Sequence, residues 1–142
     1  MRIADVLRSK GSDVVSVQRE TTVWQLLELL AQHNIGAVVV RDGDSVAGIV
    51  SERDIVRRLH SGGVDVLSGP VSAIMTDLVV TCVPEDSVDS LTEIMTERRV
   101  RHLPVMVDGR LAGIVSIGDV VKSRVAQLEQ DREQLVSYIA QG

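Results

Sequence analysis

Two serine–aspartate pairs, Ser51 with Asp54 and Ser116 with Asp119, carry residue types at a spacing that could do chemistry. A hydroxyl and a carboxylate three residues apart at a helix start can form a capping box, each side chain accepting the other residue's backbone N–H. Other polar candidates stand near these pairs or ahead of them. Arg53 precedes Asp54, Arg101 and His102 sit side by side in the second half, and Lys10 lies before the first strand. Covalent and metal chemistry find little support. His33, His60 and His102 fall on three different elements, without the i, i+4 or cysteine-paired spacing of a metal site. Cys82 is the only cysteine, which leaves no disulfide within one chain and no cysteine-based zinc site. It lies in the apolar run Val79–Val83 and reads as a small buried hydrophobe. No G-x-S-x-G, Walker loop or Rossmann glycine run is present. The expectation is no enzyme, no metal and no required cofactor.

The elements that must position these pairs come from an internal duplication. Offsetting the chain by 65 positions aligns Val14–His60 with Val79–Val125 without a gap, and 14 of the 47 pairs are identical. The matches cluster at Ala47–Ser51 against Ala112–Ser116, followed by Asp54 against Asp119. Clustering at one place is what a repeat gives and what chance amphipathic likeness does not. In each copy an apolar run, Val14–Val17 or Val79–Cys82, predicts a strand. A helix follows, with Val23, Leu26, Leu27 and Leu30 on one face, or Val88, Leu91, Ile94 and Met95, and with Thr22 or Ser87 as N-cap. Turns at Asp42-Gly43-Asp44 and Asp108-Gly109 predict hairpins. The second hairpin strand runs into Gly-Ile-Val-Ser, and a last helix begins near Glu52 or Ile117. Each unit is therefore strand–helix–strand–strand–helix, an α/β (α+β) fold. Segments around Ile3–Leu7 and Val71–Met75 predict matching lead-in turns. The breaker-rich stretch from Ser61 to Pro70 predicts a linker. Neither unit is long enough to be comfortable alone, so the two should bury their sheets against each other.

Composition narrows the partners. The net charge is −5, the longest basic runs are the pairs Arg57–Arg58 and Arg98–Arg99, and Trp24 and Tyr138 are the only aromatics. Nucleic-acid binding would call for a basic face and stacking platforms. The N-terminus lacks a long apolar region, and no stretch approaches the ~20 apolar residues of a membrane span. The expectation is a cytoplasmic protein with no nucleic-acid and no membrane partner. The last helix runs on through Lys122–Ile139, with Val121, Val125, Leu128, Leu135 and Ile139 at a/d-like spacing broken by Arg132. Either it packs within the chain or its stripe demands a partner, and a homodimer is the expectation.

The duplicated string Gly-Ile-Val-Ser-x-x-Asp, at Gly48–Asp54 and Gly113–Asp119, and the segment Val100–Val105 resemble the motifs of cystathionine β-synthase (CBS) domains. The likeness runs to about Val125 and implies a stand-alone tandem pair. Residues 1–62 would form the first CBS domain, 63–70 the linker, 71–125 the second domain and 126–142 a helical extension. It implies a pseudo-twofold, non-catalytic module whose two clefts take adenosine-containing ligands: AMP, ADP or ATP, NAD(H), or S-adenosylmethionine, with AMP foremost. Carried over residue by residue, Asp54 with Ser51 and Asp119 with Ser116 would hold ribose. Arg101, His102, Arg53 and Lys10 would meet phosphate, with Lys10 reaching the first cleft. The base would lie against the backbone of Ala37, Val38, Leu103 and Pro104. A carboxylate can accept both protons of a cis-diol, and helix-start amides favour phosphate. Gly36 and Ala37 stand where the second copy has Arg101 and His102, so the clefts should be unequal. The implied role is an energy or redox sensor acting on a partner protein. The alternative is an interaction module with vestigial clefts, and a weaker third reading is a carrier of S-adenosylmethionine or NADH.

Overall fold

The computed structural model describes residues 1–11, 13–77 and 80–141. In chain order the elements are α1 (Ile3–Lys10), β1 (Ser16–Gln18), α2 (Val23–His33), β2 (Ala37–Asp42), β3 (Ser45–Ser51) and α3 (Glu52–Gly62). After two 3-10 turns, Val64–Ser68 and Val71–Ala73, come β4 (Thr76–Asp77), α4 (Val88–Arg98), β5 (His102–Val107), β6 (Arg110–Ser116) and α5 (Ile117–Gln141).

Local chemistry sets these boundaries as the repeat predicts. Thr22 caps α2 by accepting the Gln25 N–H, and Ser87 caps α4 by accepting the Ser90 N–H. Both helices end on a residue in the left-handed conformation, Asn34 and Arg99. Asp108 and Gly109 both take positive φ (51° and 77°), as a two-residue hairpin of type I′ requires. The apolar helix stripes face inward: Val23, Leu26 and Leu30 are buried in α2, and Val88, Leu91 and Met95 in α4, with Leu27 and Ile94 partly so. Leu26 and Leu91 are fully buried, and truncating such a leucine to alanine costs about 2–5 kcal/mol.

The lead-in segments depart from expectation, because each serves the other copy. Segment Ile3–Leu7 belongs to a helix, not a turn, and its Ile3 and Val6 are buried in the core of the second copy with Leu91, Met95, Leu103 and Val115. Val71 and Ile74, ahead of the second copy, are buried in the core of the first with Leu26, Val38 and Val50. The main chain seals both exchanges: Val71 N–H donates to the Thr21 carbonyl (2.8 Å), and Ile3 N–H to that of Asp86 (2.9 Å). β4 extends the first sheet, whose order is β1-β2-β3-β4, by pairing with Gly48 and Ile49. A Cβ on Gly48 would collide with the Thr76 carbonyl oxygen, so the motif glycine is where this crossing strand presses closest.

Two other expectations need adjustment. The strand expected over Val79–Cys82 includes Val79, which lies outside the described residues. Cys82 itself makes one parallel bridge to Val105, donating its N–H to the Pro104 carbonyl (3.0 Å) and accepting that of Met106 (2.8 Å). The stretch between the copies is folded: α3 extends to Gly62, and Val66 and Leu67 pack on the first core. Four successive residues of β2, Ala37–Val40, are buried, so both its faces are covered. Val38 and Val40 enter the first core, and β3 lies against β6 where the copies meet.

Candidate functional site

Both serine–aspartate pairs sit where a hairpin strand turns into a helix, at the β3–α3 and β6–α5 junctions. Each forms a reciprocal cap. Asp54 Oδ2 accepts the Ser51 N–H at 2.8 Å, and Ser51 Oγ accepts the Asp54 N–H at 3.3 Å. Asp119 Oδ2 accepts the Ser116 N–H at 2.9 Å, and Ser116 Oγ accepts the Asp119 N–H at 3.1 Å. Caps of this kind fix the rotamer of the carboxylate and are worth about 0.5–2 kcal/mol. In both copies the cap uses Oδ2. Among the described residues Oδ1 of Asp54 and of Asp119 has no hydrogen-bond partner.

The hairpins tie to these helix starts in the same way. Ile117 N–H donates to the Arg101 carbonyl at 2.8 Å, and Glu52 N–H to the Gly36 carbonyl at 3.0 Å. Register then sets His102 opposite Ser116 and Ala37 opposite Ser51. The second site thus gathers Arg101, His102, Ser116 and Asp119.

Lys10 completes this second cluster, which corrects its expected place at the first cleft. Its Nζ donates to Asp119 Oδ2 at 2.6 Å and to the Ile114 carbonyl at 2.8 Å. The reason is the exchange of α1, which lays the end of that helix on the second copy. Burial would raise the Asp119 pKa, but hydrogen bonds from Lys10 and from the Ser116 backbone, with the Lys10 charge, outweigh it and hold the carboxyl below its usual range. His102 is pushed below its usual value by burial first, and by the Lys10 and Arg101 charges, against an opposing pull from Asp119. Its surroundings therefore favour the neutral imidazole, which can donate or accept a hydrogen bond.

The first site has a different charge. A Cβ on Gly36 would stand 3.0 Å from Glu52 Oε1, so a carboxylate fills the space that a side chain would take there. Arg53 is exposed on the first turn of α3. Met75, which lies against Gly48 as Leu7 lies against Gly113, packs on the first core. Of the backbone expected to face a base, Ala37, Val38, Leu103 and Pro104 are all buried, and the Pro104 carbonyl already accepts from Cys82. The Cys82 thiol is pushed up to about 12, by burial first and then by the Asp86 charge, which makes it a poor nucleophile. A small pocket lined by Met1, Ser87, Val88, Asp89, Ser123, Arg124 and Gln127 includes none of the site residues. Among the described residues no group of His, Cys, Asp or Glu is placed to hold a metal ion, and no helix is long and apolar enough to cross a membrane.

Sequence reasoning missed the carboxylate of Glu52 at the first site. The signal was present: Glu52 stands where the second copy has Ile117, directly after the capping serine.

Comparison with known proteins fits this architecture. The family model described as the CBS domain matches twice, over residues 3–61 and 71–126. A CBS-domain-containing protein from Agrobacterium tumefaciens superposes with a TM-score of 0.84 at 46% identity, covering 87% of this chain and 99% of that one. The CBS domain-containing protein CBSX3, mitochondrial, of Arabidopsis thaliana is 37% identical over 99% of this chain and 72% of its own length. The CBS domain pair of protein MJ0100, solved in complex with 5′-methylthioadenosine and S-adenosyl-L-methionine, shares the fold with a TM-score of 0.79 at 22% identity, covering 89% of this chain and 98% of that one.

Proposed function

The chain belongs to the CBS-domain family as a tandem pair, and on that premise we propose that it is a non-catalytic regulatory module binding adenosine-containing ligands at its two serine–aspartate sites. One observation carries the reading: each aspartate is locked by its cap through Oδ2 while Oδ1 keeps no protein partner among the described residues. A pre-oriented carboxylate with an open oxygen is what a ribose cis-diol needs, and fixing it beforehand lowers the entropic cost of binding. The adenosine compounds held by the MJ0100 pair support the same ligand class. Ser51 and Ser116 orient the aspartates. The base lies along Ala37 and Val38, or along Leu103 and Pro104, and phosphate oxygens meet Arg101, His102 and Lys10, with Arg53 at the first site.

The ligand is a regulatory one, AMP foremost, with ADP, ATP, NAD(H) and S-adenosylmethionine in the same class. The module works in the cytoplasm and reports energy or redox state to a partner protein. α5 supports association with protein: Val121, Val125, Leu128, Leu135 and Ile139 are all exposed, as are Val136 and Tyr138. An apolar stripe of that length on a charged helix is covered in use, and a second copy of the chain is the proposed cover. Native mass spectrometry of the purified protein with each adenosine compound tests the reading. Binding of at least one compound at up to two per chain is the expected result, and no binding by any of them would refute it.

A further inference from the structure

The two sites differ in charge at matching places, and the difference is built from three elements. At the start of the hairpin the second copy places Arg101, where the first has Gly36 with the Glu52 carboxylate against it. At the next position the second copy places His102, where the first has Ala37. The exchanged lead-in segment brings Lys10 to the second site, where it pairs with Asp119. The second site therefore holds Lys10 on Asp119, with His102 nearby and the exposed Arg101 next to it in the chain. The first holds Asp54 and Glu52, with Arg53 exposed on the same helical turn.

Resting on the ligand class proposed above, we infer that the sites divide that class by charge. The second site takes the phosphate-bearing nucleoside, and the first takes an adenosine compound without phosphate. Lys10 is the residue that decides. In the free protein its ammonium neutralises Asp119, the half-buried carboxylate that would hold ribose. When ribose hydroxyls take Asp119, the ammonium is released at the mouth of the site and turns to the phosphate. An uncharged nucleoside breaks the Lys10–Asp119 pair and offers nothing in exchange, so it is disfavoured there. At the first site a phosphate would meet two carboxylates with only the exposed Arg53 to offset them, and like charges at close range oppose binding.

Calorimetric titration of AMP and of 5′-methylthioadenosine, singly and together, tests the inference. Wild type should bind one of each without mutual displacement. Lys10→Met removes the charge and keeps an unbranched side chain, and it should weaken AMP binding by roughly tenfold or more while shifting 5′-methylthioadenosine by less than about twofold. Lys10→Arg should keep AMP binding, and a thermal melt reads whether each variant folds. Mutual displacement of the two ligands, or an equal loss of both in Lys10→Met, would overturn the inference and leave the ligand class standing. Binding of neither ligand to wild type would remove the ligand class itself.

Discussion

Lys10 Nζ stands 2.6 Å from Asp119 Oδ2 although 109 positions separate them in the chain. The contact exists because α1 packs on the second copy's core, so the charge of one site is set by a residue that precedes the other copy. The same exchange runs in reverse through Val71 and Ile74, which makes the two copies structurally interdependent.

The exchange predicts unequal costs at the two motif glycines. Gly48→Ala sets a Cβ against the Thr76 backbone carbonyl, which can yield only by moving β4. Gly113→Ala meets the Leu7 side chain, a flexible end that can turn aside. Gly48→Ala should cost about 1–3 kcal/mol and Gly113→Ala clearly less. Denaturant midpoints of the two variants, at unchanged m, check the order; equal costs would contradict the crossing geometry.

The aspartates predict a separation between stability and affinity. Asp54→Ala removes a cap and should lower stability by about 0.5–2 kcal/mol. Asp119→Ala should cost at least as much, since it also removes the carboxylate that pairs with Lys10. Each should weaken ligand binding at its own site. Thermal melts beside titrations on both variants decide it, and affinity preserved in both would leave the residues as caps alone.

Stability should fall with acid in two steps. His102 has a folded pKa below 6.5, so the unfolded chain binds its proton first. Its contribution is whole above 6.5 and shrinks as pH falls from there through the folded value. Asp119, depressed below 3.8, contributes above 3.8 and loses that contribution as pH falls through its own folded value. His102→Gln should therefore lose less stability than wild type between pH 7.5 and 5.5. Urea midpoints at the two pH values measure this, and parallel losses would show that His102 is not the titrating group.

Arg101 and His102 predict a phosphate-specific loss. Hydrogen bonds to charged groups are typically worth roughly 1.5–3 kcal/mol, so Arg101→Ala should weaken AMP by about tenfold or more and leave adenosine nearly unchanged. His102→Ala should do the same more weakly, because burial disfavours its charged form. An equal loss for both ligands would reassign these residues to the base or the fold.

Much of this was legible in the sequence because it is written locally. The Val23–Leu30 and Val88–Met95 stripes, the Thr22 and Ser87 caps and the Asp108-Gly109 turn need only near neighbours, and each element formed where its pattern stands. The capping boxes were legible for the same reason. Lys10 was misplaced because periodicity tells which face of Ile3–Lys10 is apolar and not which core receives it. β4 was invisible because two residues carry no alternation. The lowered pKa of His102 depends on Lys10 and Asp119, neighbours fixed only by tertiary structure.

α5 predicts the assembly. Beyond Gln127 every described residue of the helix is exposed, Leu128, Leu135 and Ile139 among them. The full chain should be a dimer at micromolar concentration, and truncation after Val125 should release the monomer with its core intact. Light scattering on both forms reads this directly, and a monomeric full chain would refute the role given to the stripe.

In the proposed function Asp54 and Asp119 hold ribose and do more than cap. Asn in place of Asp keeps a side-chain oxygen for the serine N–H and removes the charge that binds the diol. Adenosine, which has no phosphate, isolates that contact. Calorimetric titration of adenosine into wild type and into Asp54→Asn/Asp119→Asn is therefore the most direct test. Wild type should bind adenosine, and the double variant should lose roughly tenfold or more in affinity with its cooperative melt retained. Unchanged adenosine affinity in a folded double variant would contradict it.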